Sequence, residues 1–214
     1  MNSYEWYEEN HITLINNDPV EKVNRQSKKI ITQKGIELEY DICIFATGSK
    51  AFVLPIEGSN LPSVIGWRTI QDTEQIIDIA SKKKKAIVIG GGLLGLECAR
   101  GLLDQGMDVT VLHLAEWLME MQLDRKAGDM LRADLEKQGM KFELQANSKR
   151  IIGDEDVEAV ELADGRVIET DLVVMAVGIR PYTEVAKDAG LDVQRGIVVN
   201  DFLQTSDSNI YAIG

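Results

Sequence analysis

Apolar and polar positions in this chain switch between a period of two and a period near 3.6, and the switching itself outlines a fold. Residues 86–89 (AIVI) form a short β-rich apolar run, after which Leu93, Leu94, Leu96, Ala99, Leu102 and Leu103 recur at helical spacing along one broad face. A second apolar run follows at residues 109–112 (VTVL), and Gly106 is placed to stop the helix in a left-handed conformation. Strand, helix and strand in this order predict a βαβ unit with two parallel strands. Asp124 then suits the cap of a helix whose face is marked by Ala127, Met130, Leu131, Leu135 and Gln138 and which Gly139 stops, and residues 141–144 predict a third parallel strand. VEAVEL and RVIETD alternate around Asp164-Gly165 and predict a hairpin, and residues 172–177 read as a buried strand ending in Gly178. Residues 182–190 suit a helix and residues 210–212 a last short strand. Before the βαβ unit, HITLIN, PVEKVN, KKIITQ and IELEY alternate as strands do, predicting a small antiparallel meander over residues 11–40. It feeds an apolar strand at residues 41–46 that runs into Thr47-Gly48-Ser49, followed by a connection at 52–62 and a helix at 73–81.

Gly90, Gly92 and Gly95 stand at G-x-G-x-x-G spacing between the first strand and its helix. Each glycine has its own task in such a turn: Gly90 permits the tight bend, Gly92 lets backbone approach a pyrophosphate, and Gly95 lets helix pack on strand. The phosphate then rests on free N–H groups at the positive end of a helix dipole. A lone G-x-G-x-x-G says little, but one bounded by strand, helix and strand predicts nucleotide binding; a glycine-rich loop of purely structural origin is the alternative.

Composition narrows the classes that remain. The chain has 214 residues, of which 44% are hydrophobic, ordinary for a globular protein, and it contains no apolar run of membrane-spanning length. Its start, MNSYEWYEEN, has neither a basic nor an apolar leader region, so a cytoplasmic location is expected, with no membrane partner. A formal net charge of −12 repels nucleic acid, which excludes that class of partner. The run Lys82 to Lys85 is a local exception, read as a solvated turn with a docking patch as the alternative. Cys43 and Cys98 suit small apolar packing positions, and His11 and His113 are too few and too far apart to predict a metal site.

Three strand-to-glycine junctions recur: Ala46-Thr47-Gly48, the turn from Gly90 to Gly95, and Ala176-Val177-Gly178. An ATG strand, then G-x-G-x-x-G, then A-x-G-x-R-P at 176–181, then TSDSNIYAIG at 205–214 resembles the pyridine nucleotide-disulfide oxidoreductase family over nearly the whole chain. Within that family, LHLAEWLMEMQLD and RTIQD resemble the NAD(P)H-dependent nitrite-reducing branch, while rubredoxin reductases and NADH oxidases share most of the frame. The resemblance implies an α/β fold in which a Rossmann-like NAD(P)-binding domain, parallel sheet and helices plus an antiparallel β segment, is inserted in an FAD-domain portion. It assigns residues 1–80 to the FAD domain, 81–190 to the NAD(P) domain and 191–214 to the return of the FAD domain. Hydride would pass from NAD(P)H to FAD and on to an electron-acceptor centre, with the cofactors carrying the chemistry and no side chain acting as acid or base. A homodimer is compatible with the resemblance, and an NAD(P)-binding module without turnover is the alternative class.

Carried over residue by residue, the resemblance places Gly90, Gly92, Leu93, Leu94 and Gly95 along the NAD(P) pyrophosphate, Glu97 at the nicotinamide carboxamide, and Val177 and Gly178 beside the nicotinamide ring. On the FAD side it places Val20 near the adenine, Thr47 and Gly48 along the dinucleotide, and Arg68 toward its pyrophosphate. Glu97 as a carboxylate favoured at a helix N-terminus, and Arg68 as a surface charge, are the bland alternatives. Two departures stand out. Where an acid is expected to hold the ribose 2′-hydroxyl, about 20 residues after the glycines, this chain has His113, with Glu116 three positions on. NADH and NADPH therefore stay open, and protonation of His113 is expected to favour the 2′-phosphate of NADPH. The FAD pyrophosphate turn is expected before Met1 and a flavin-contacting acid after Gly214, so the chain reads as a piece of a longer flavoprotein that holds little flavin by itself.

Overall fold

The computed structural model describes residues 2–214, which divide into two compact units, unit 1 up to Ser49 together with Arg180–Gly214, and unit 2 over Lys50–Ile179. No helix among the described residues is long and apolar enough to cross a membrane.

Unit 1 opens on a short helix, α1 (Tyr4–Glu9), capped by the Ser3 hydroxyl. The alternation at residues 11–16 does not become a strand: no neighbouring strand pairs with it among the described residues, and Ile12 and Leu14 stay exposed. The meander is the antiparallel sheet β1 (Val20–Asn24), β2 (Lys29–Thr32) and β3 (Glu37–Glu39), with Val23 opposite Ile30. In β4 (Cys43–Phe45) Cys43 and Phe45 turn into the core and Ile44 turns out, the period-two pattern expected of a strand with one buried face.

From β5 (Ser49–Ala51) the chain enters unit 2, whose elements are β6 (Val64–Gly66), α2 (Ile70–Ala80), β7 (Lys85–Ile89), α3 (Leu93–Asp104), β8 (Asp108–His113), α4 (Arg125–Lys137), β9 (Lys141–Leu144), β10 (Ser148–Ile152), β11 (Ala159–Leu162), β12 (Val167–Glu169) and β13 (Leu172–Met175). Five of these strands form one parallel sheet in the order β6-β13-β7-β8-β9, a Rossmann-type arrangement. Alternation along the strands builds two cores. Ala86, Val88, Val109, Val111, Leu172 and Val174 face one cluster with α2, α3 and α4 residues, and Ile87, Ile89, Leu112, Val173 and Met175 face a second with Ile151, Val160 and Leu162 of the antiparallel sheet β10-β11-β12. The chain returns through β14 (Ile179–Pro181), α5 (Glu184–Asp188) and β15 (Ile210–Ala212), which pairs in parallel with β4.

The compact units divide inside the stretches expected to separate the FAD and NAD(P) domains. Residues 50–80 supply β6 to the parallel sheet and Ile76 and Ala80 of α2 to its core, so they fold with unit 2. Ala186 of α5 and Leu191 are buried in the unit 1 core with Val23 and Ile210. Helix α2 also starts earlier than its periodicity suggests, because Thr69 and Asp72 cap one another's backbone in a reciprocal box.

Three of the four lysines in the run pair with carboxylates inside unit 2. Lys82 pairs with Asp78 at 2.7 Å, Lys83 with Asp156, and Lys85 with Glu169 at 2.8 Å, while the Lys84 and Lys85 N–H groups donate to Asp171. Cys98 packs inside the helix–sheet core, where burial pushes its thiol up to about 12 and leaves it unreactive.

Lys83 Nζ also donates to Ser63 Oγ at 2.9 Å and the Asp171 carbonyl at 3.1 Å, tying the start of β7 to β6 and β13. Burial alone would raise the Asp156 carboxyl, but hydrogen bonds from Lys83, Ser63 and the Val157 N–H outweigh it and bring its pKa down to about 2. The folded state thus favours the ionised form, so this stabilisation is present above the unfolded value of about 3.9 and disappears as pH falls toward 2. Thermal melts of the native chain and Asp156→Asn should differ most at neutral pH and converge between about pH 4 and pH 2. A gap that stays constant over that interval would show that the ionised carboxylate is not what holds the strut.

Candidate nucleotide-binding site

The parallel strand order reverses between β7 and β13, and in an open α/β sheet the crevice at the carboxyl ends of two such strands receives a ligand. Here that crevice is made of three backbones in near contact. Gly90, at φ +124, donates its N–H to the Leu112 carbonyl at 2.8 Å, and a Cβ on it would lie 2.4 Å from the Ala176 carbonyl oxygen. A Cβ on Gly95, in the first turn of α3, would lie 1.9 Å from the Gly90 carbonyl oxygen. Gly92 differs: its φ is −85, and a Cβ there would meet no protein atom within 4 Å. The first and third glycines are therefore demanded by the protein itself, whereas the fold places no demand on the second. What Gly92 leaves clear is space in front of the helix.

That helix end is open. Thr69 caps α2 and Asp124 caps α4, its carboxylate accepting the Ala127 N–H at 2.8 Å, but α3 begins at Gly92 with no side-chain cap. The N–H groups of its first turn have no intrahelical acceptor and point, with the positive end of the dipole, into the crevice. An anionic group such as a pyrophosphate is the complementary ligand.

His113 props the turn from below. It ends β8 only 7% exposed, and Nδ1 accepts the Gly91 N–H at 3.0 Å. An accepting Nδ1 carries no proton, so the proton is on Nε2, which donates to Glu120 Oε2 at 2.9 Å. A Cβ on Gly91 would lie 2.6 Å from His113 Cγ and 2.9 Å from a methyl of Leu118, so this glycine too is fixed by packing. The loop after β8 closes the arrangement, the Met119 N–H donating to the Gly91 carbonyl at 3.0 Å. The ring expected to read a ribose phosphate is thus buried with both nitrogens engaged, and its protonation would set Nδ1–H against the Gly91 N–H.

The cleft above this turn encloses about 580 Å³, the size of a small-molecule site. Of the expected residues, Gly90, Gly92, Leu93, Leu94, His113, Val177 and Gly178 line it together. Gly95 is buried beneath the turn and does not line it, because it is the packing contact. Glu97 is exposed on α3 outside the lining, and Glu116 is exposed and paired with Arg125 at 3.0 Å. Glu120, which no periodicity singles out, does line the cleft and is the single carboxylate among its lining residues, which include no lysine or arginine. Its position comes from the His113 contact, seven residues away in sequence, a relation that only the fold displays.

In unit 1, Val20 and Thr47 line an apolar pocket of about 430 Å³ with Val23, Ile30 and Phe45. Gly48, at φ +66, follows Thr47; the Thr47 hydroxyl donates to the Tyr182 carbonyl at 2.7 Å and the Tyr182 N–H to the Gly48 carbonyl at 3.0 Å. Arg68 is exposed and belongs to unit 2, where its backbone N–H donates to Asp72 at 2.8 Å. Tested against a second dinucleotide, unit 1 offers apolar walls but, among the described residues, no glycine turn leading into a helix of two turns or more. These residues by themselves do not fit a pyrophosphate. The described residues contain no cluster of three or more metal-ligating side chains.

Comparison with known proteins gives a family and a set of relatives. The family model described as pyridine nucleotide-disulphide oxidoreductase matches residues 3–214. The chain is 51% identical over 214 residues to a nitrite reductase [NAD(P)H] of Bacillus subtilis, covering 100% of this chain and 27% of the relative. It is 42% identical to the assimilatory nitrate reductase electron transfer subunit of the same organism, covering 100% of this chain and 28% of the relative. The crystal structure of the ferredoxin reductase for the CYP199A2 system of Rhodopseudomonas palustris superimposes with a TM-score of 0.95 at 31% identity, over 100% of this chain and 53% of the other. The chain thus spans about a quarter of the length of these two curated relatives.

The glycines should separate cleanly in stability measurements. Gly95→Ala forces a Cβ into backbone and should destabilise unit 2 by more than about 3 kcal/mol, and Gly91→Ala by about 1–3 kcal/mol through the His113 ring. Gly92→Ala should stay within about 1 kcal/mol of the native chain, since the position is open and its backbone angle ordinary. Denaturant titrations check this, and equal losses at 92 and 95 would contradict the assigned contacts.

Proposed function

Because the chain belongs to the pyridine nucleotide-disulphide oxidoreductase family, we propose that unit 2 is its nicotinamide-dinucleotide-binding unit, with the pyrophosphate on the uncapped N-terminus of α3. The observation that carries this reading is the combination at Gly92, open space in front of an unsatisfied helix end at the point where strand order reverses. Backbone N–H groups of Gly92, Leu93 and Leu94 hold the phosphates, and Val177 and Gly178, which line the same cleft, lie beside the nicotinamide. When bound, the nicotinamide supplies a hydride. The chain's own contribution is to orient it and keep water from the apolar wall formed by Leu54, Ile56 and Val177.

For the whole protein the proposal is an NAD(P)H-dependent flavoprotein feeding electrons to an acceptor centre, in nitrite reduction. The 51% identity to the Bacillus nitrite reductase over the full chain, with the nitrate reductase electron transfer subunit at 42%, supports that branch. Val20, Thr47, Gly48 and Arg68 remain proposed contacts to the family's second dinucleotide, FAD.

Calorimetric titration of the chain with NADH tests the central assignment. Gly92→Val should keep the fold and weaken NADH at least tenfold, about 1.4 kcal/mol, because the branched side chain fills the phosphate approach. Unchanged affinity would remove the assignment. The same preparation should be colourless, since unit 1 supplies no pyrophosphate turn among its described residues; stoichiometric flavin in the purified 214-residue chain would contradict this.

A further inference from the structure

We infer that Glu120 is the acid that reads the adenosine ribose and selects NADH over NADPH, with His113 as its positioning residue. This rests on the reading of unit 2 as a dinucleotide site. Such sites discriminate at the ribose 2′ position with an acid close to the end of the second strand, where a carboxylate accepts the 2′-hydroxyl and repels a 2′-phosphate. At that place this chain has a buried imidazole, which cannot reach a ribose and hold the turn at once, because Nδ1 is committed to Gly91. The ring instead hands its outward face to Glu120. Nε2–H fixes Oε2 at 2.9 Å, and Oε1 has no hydrogen-bond partner among the described residues. The Glu120 side chain is 34% exposed and lines the cleft alongside Gly91 and Gly92, so one oxygen is anchored and the other is presented to the ligand.

The alternatives fail on position or charge. Glu116, the acid nearer in sequence to the expected place, is half-exposed, paired with Arg125 and outside the cleft lining. A 2′-phosphate is normally held by arginine or lysine, and neither residue type lines this cleft. NADPH entering would bring two negative charges against a fixed carboxylate in a largely apolar cleft with no compensating cation.

The test is a set of binding titrations on the full chain with NADH and NADPH, repeated with 5′-AMP and 2′,5′-ADP to confine the readout to the adenosine end. The native chain should bind NADH at least tenfold more tightly than NADPH. Glu120→Gln should shrink that ratio to threefold or less, and Glu120→Arg should invert it, while Glu116→Gln leaves it unchanged. His113→Ala should lower the ratio as well as overall affinity, whereas a merely structural ring would weaken both nucleotides by one factor. A native ratio below threefold, or a ratio that survives Glu120→Gln, overturns the inference while leaving the dinucleotide site standing. Failure of the native chain to bind either nucleotide overturns the reading of unit 2 itself, and the two failures are distinguishable in the first titration.

Discussion

Everything at the site depends on three backbones meeting without room for a β-carbon. The Gly95 Cα sits against the Gly90 carbonyl and Gly90 against the Ala176 carbonyl, so helix α3, strand β7 and the end of β13 are held as closely as main chains can be. That contact fixes where α3 begins and aims its unsatisfied N–H groups into the crevice between β7 and β13. Side chains could not set this distance with the same economy, since each would add its own volume and rotamer freedom. The parallel sheet supplies the platform: its two faces are sealed by separate apolar clusters, which leaves only the carboxyl ends of the strands for chemistry.

Beneath the turn, His113 occupies the place an acid takes elsewhere in such folds, with different consequences. A carboxylate at the end of β8 could accept the Gly91 N–H and a ribose hydroxyl together. An imidazole with Nδ1 accepting has a single remaining position, and it is a donor. The chain therefore needs a second group to turn that donor back into an acceptor, and the loop that carries Leu118 into the core also delivers Glu120.

Much of this was legible in the amino-acid order. The βαβ core could be read because its apolar spacing and its glycines are both local consequences of the packing they serve: Leu96, Ala99 and Leu102 face the sheet, and Gly106 and Gly139 end helices in left-handed turns. The alternation in HITLIN misled, since period two describes a strand only when a neighbouring backbone accepts its hydrogen bonds. β6 and β10 escaped because three and five residues with mixed burial carry little pattern, and they exist through partners distant in sequence. The box of Thr69 and Asp72 was a readable signal for the true start of α2. The contact of Gly91 with His113 spans 22 residues and that of Lys83 with Asp156 spans 73, and no local rule joins such pairs. The same holds for the division into units, which follows the sheet in which a segment finds its partner strand.

Unit 1 is discontinuous in sequence, and that has a consequence for the order in which the chain can assemble. Its ion pair between Arg25 and Asp207 joins residues 182 positions apart, and a parallel pair brings β4 to β15 across the whole of unit 2 in sequence. Closing so long a loop in an unfolded chain is entropically unfavourable. Once unit 2 has formed, its two exits are pinned together, the Phe52 N–H donating to the Gly178 carbonyl at 2.9 Å, and the gap left to close is shorter. By loop-length scaling the saving is roughly 1 kcal/mol. Unit 2 thus acts as a clasp for a partner it interrupts, and a lesion in its core would be felt first as slow or incomplete closure of unit 1.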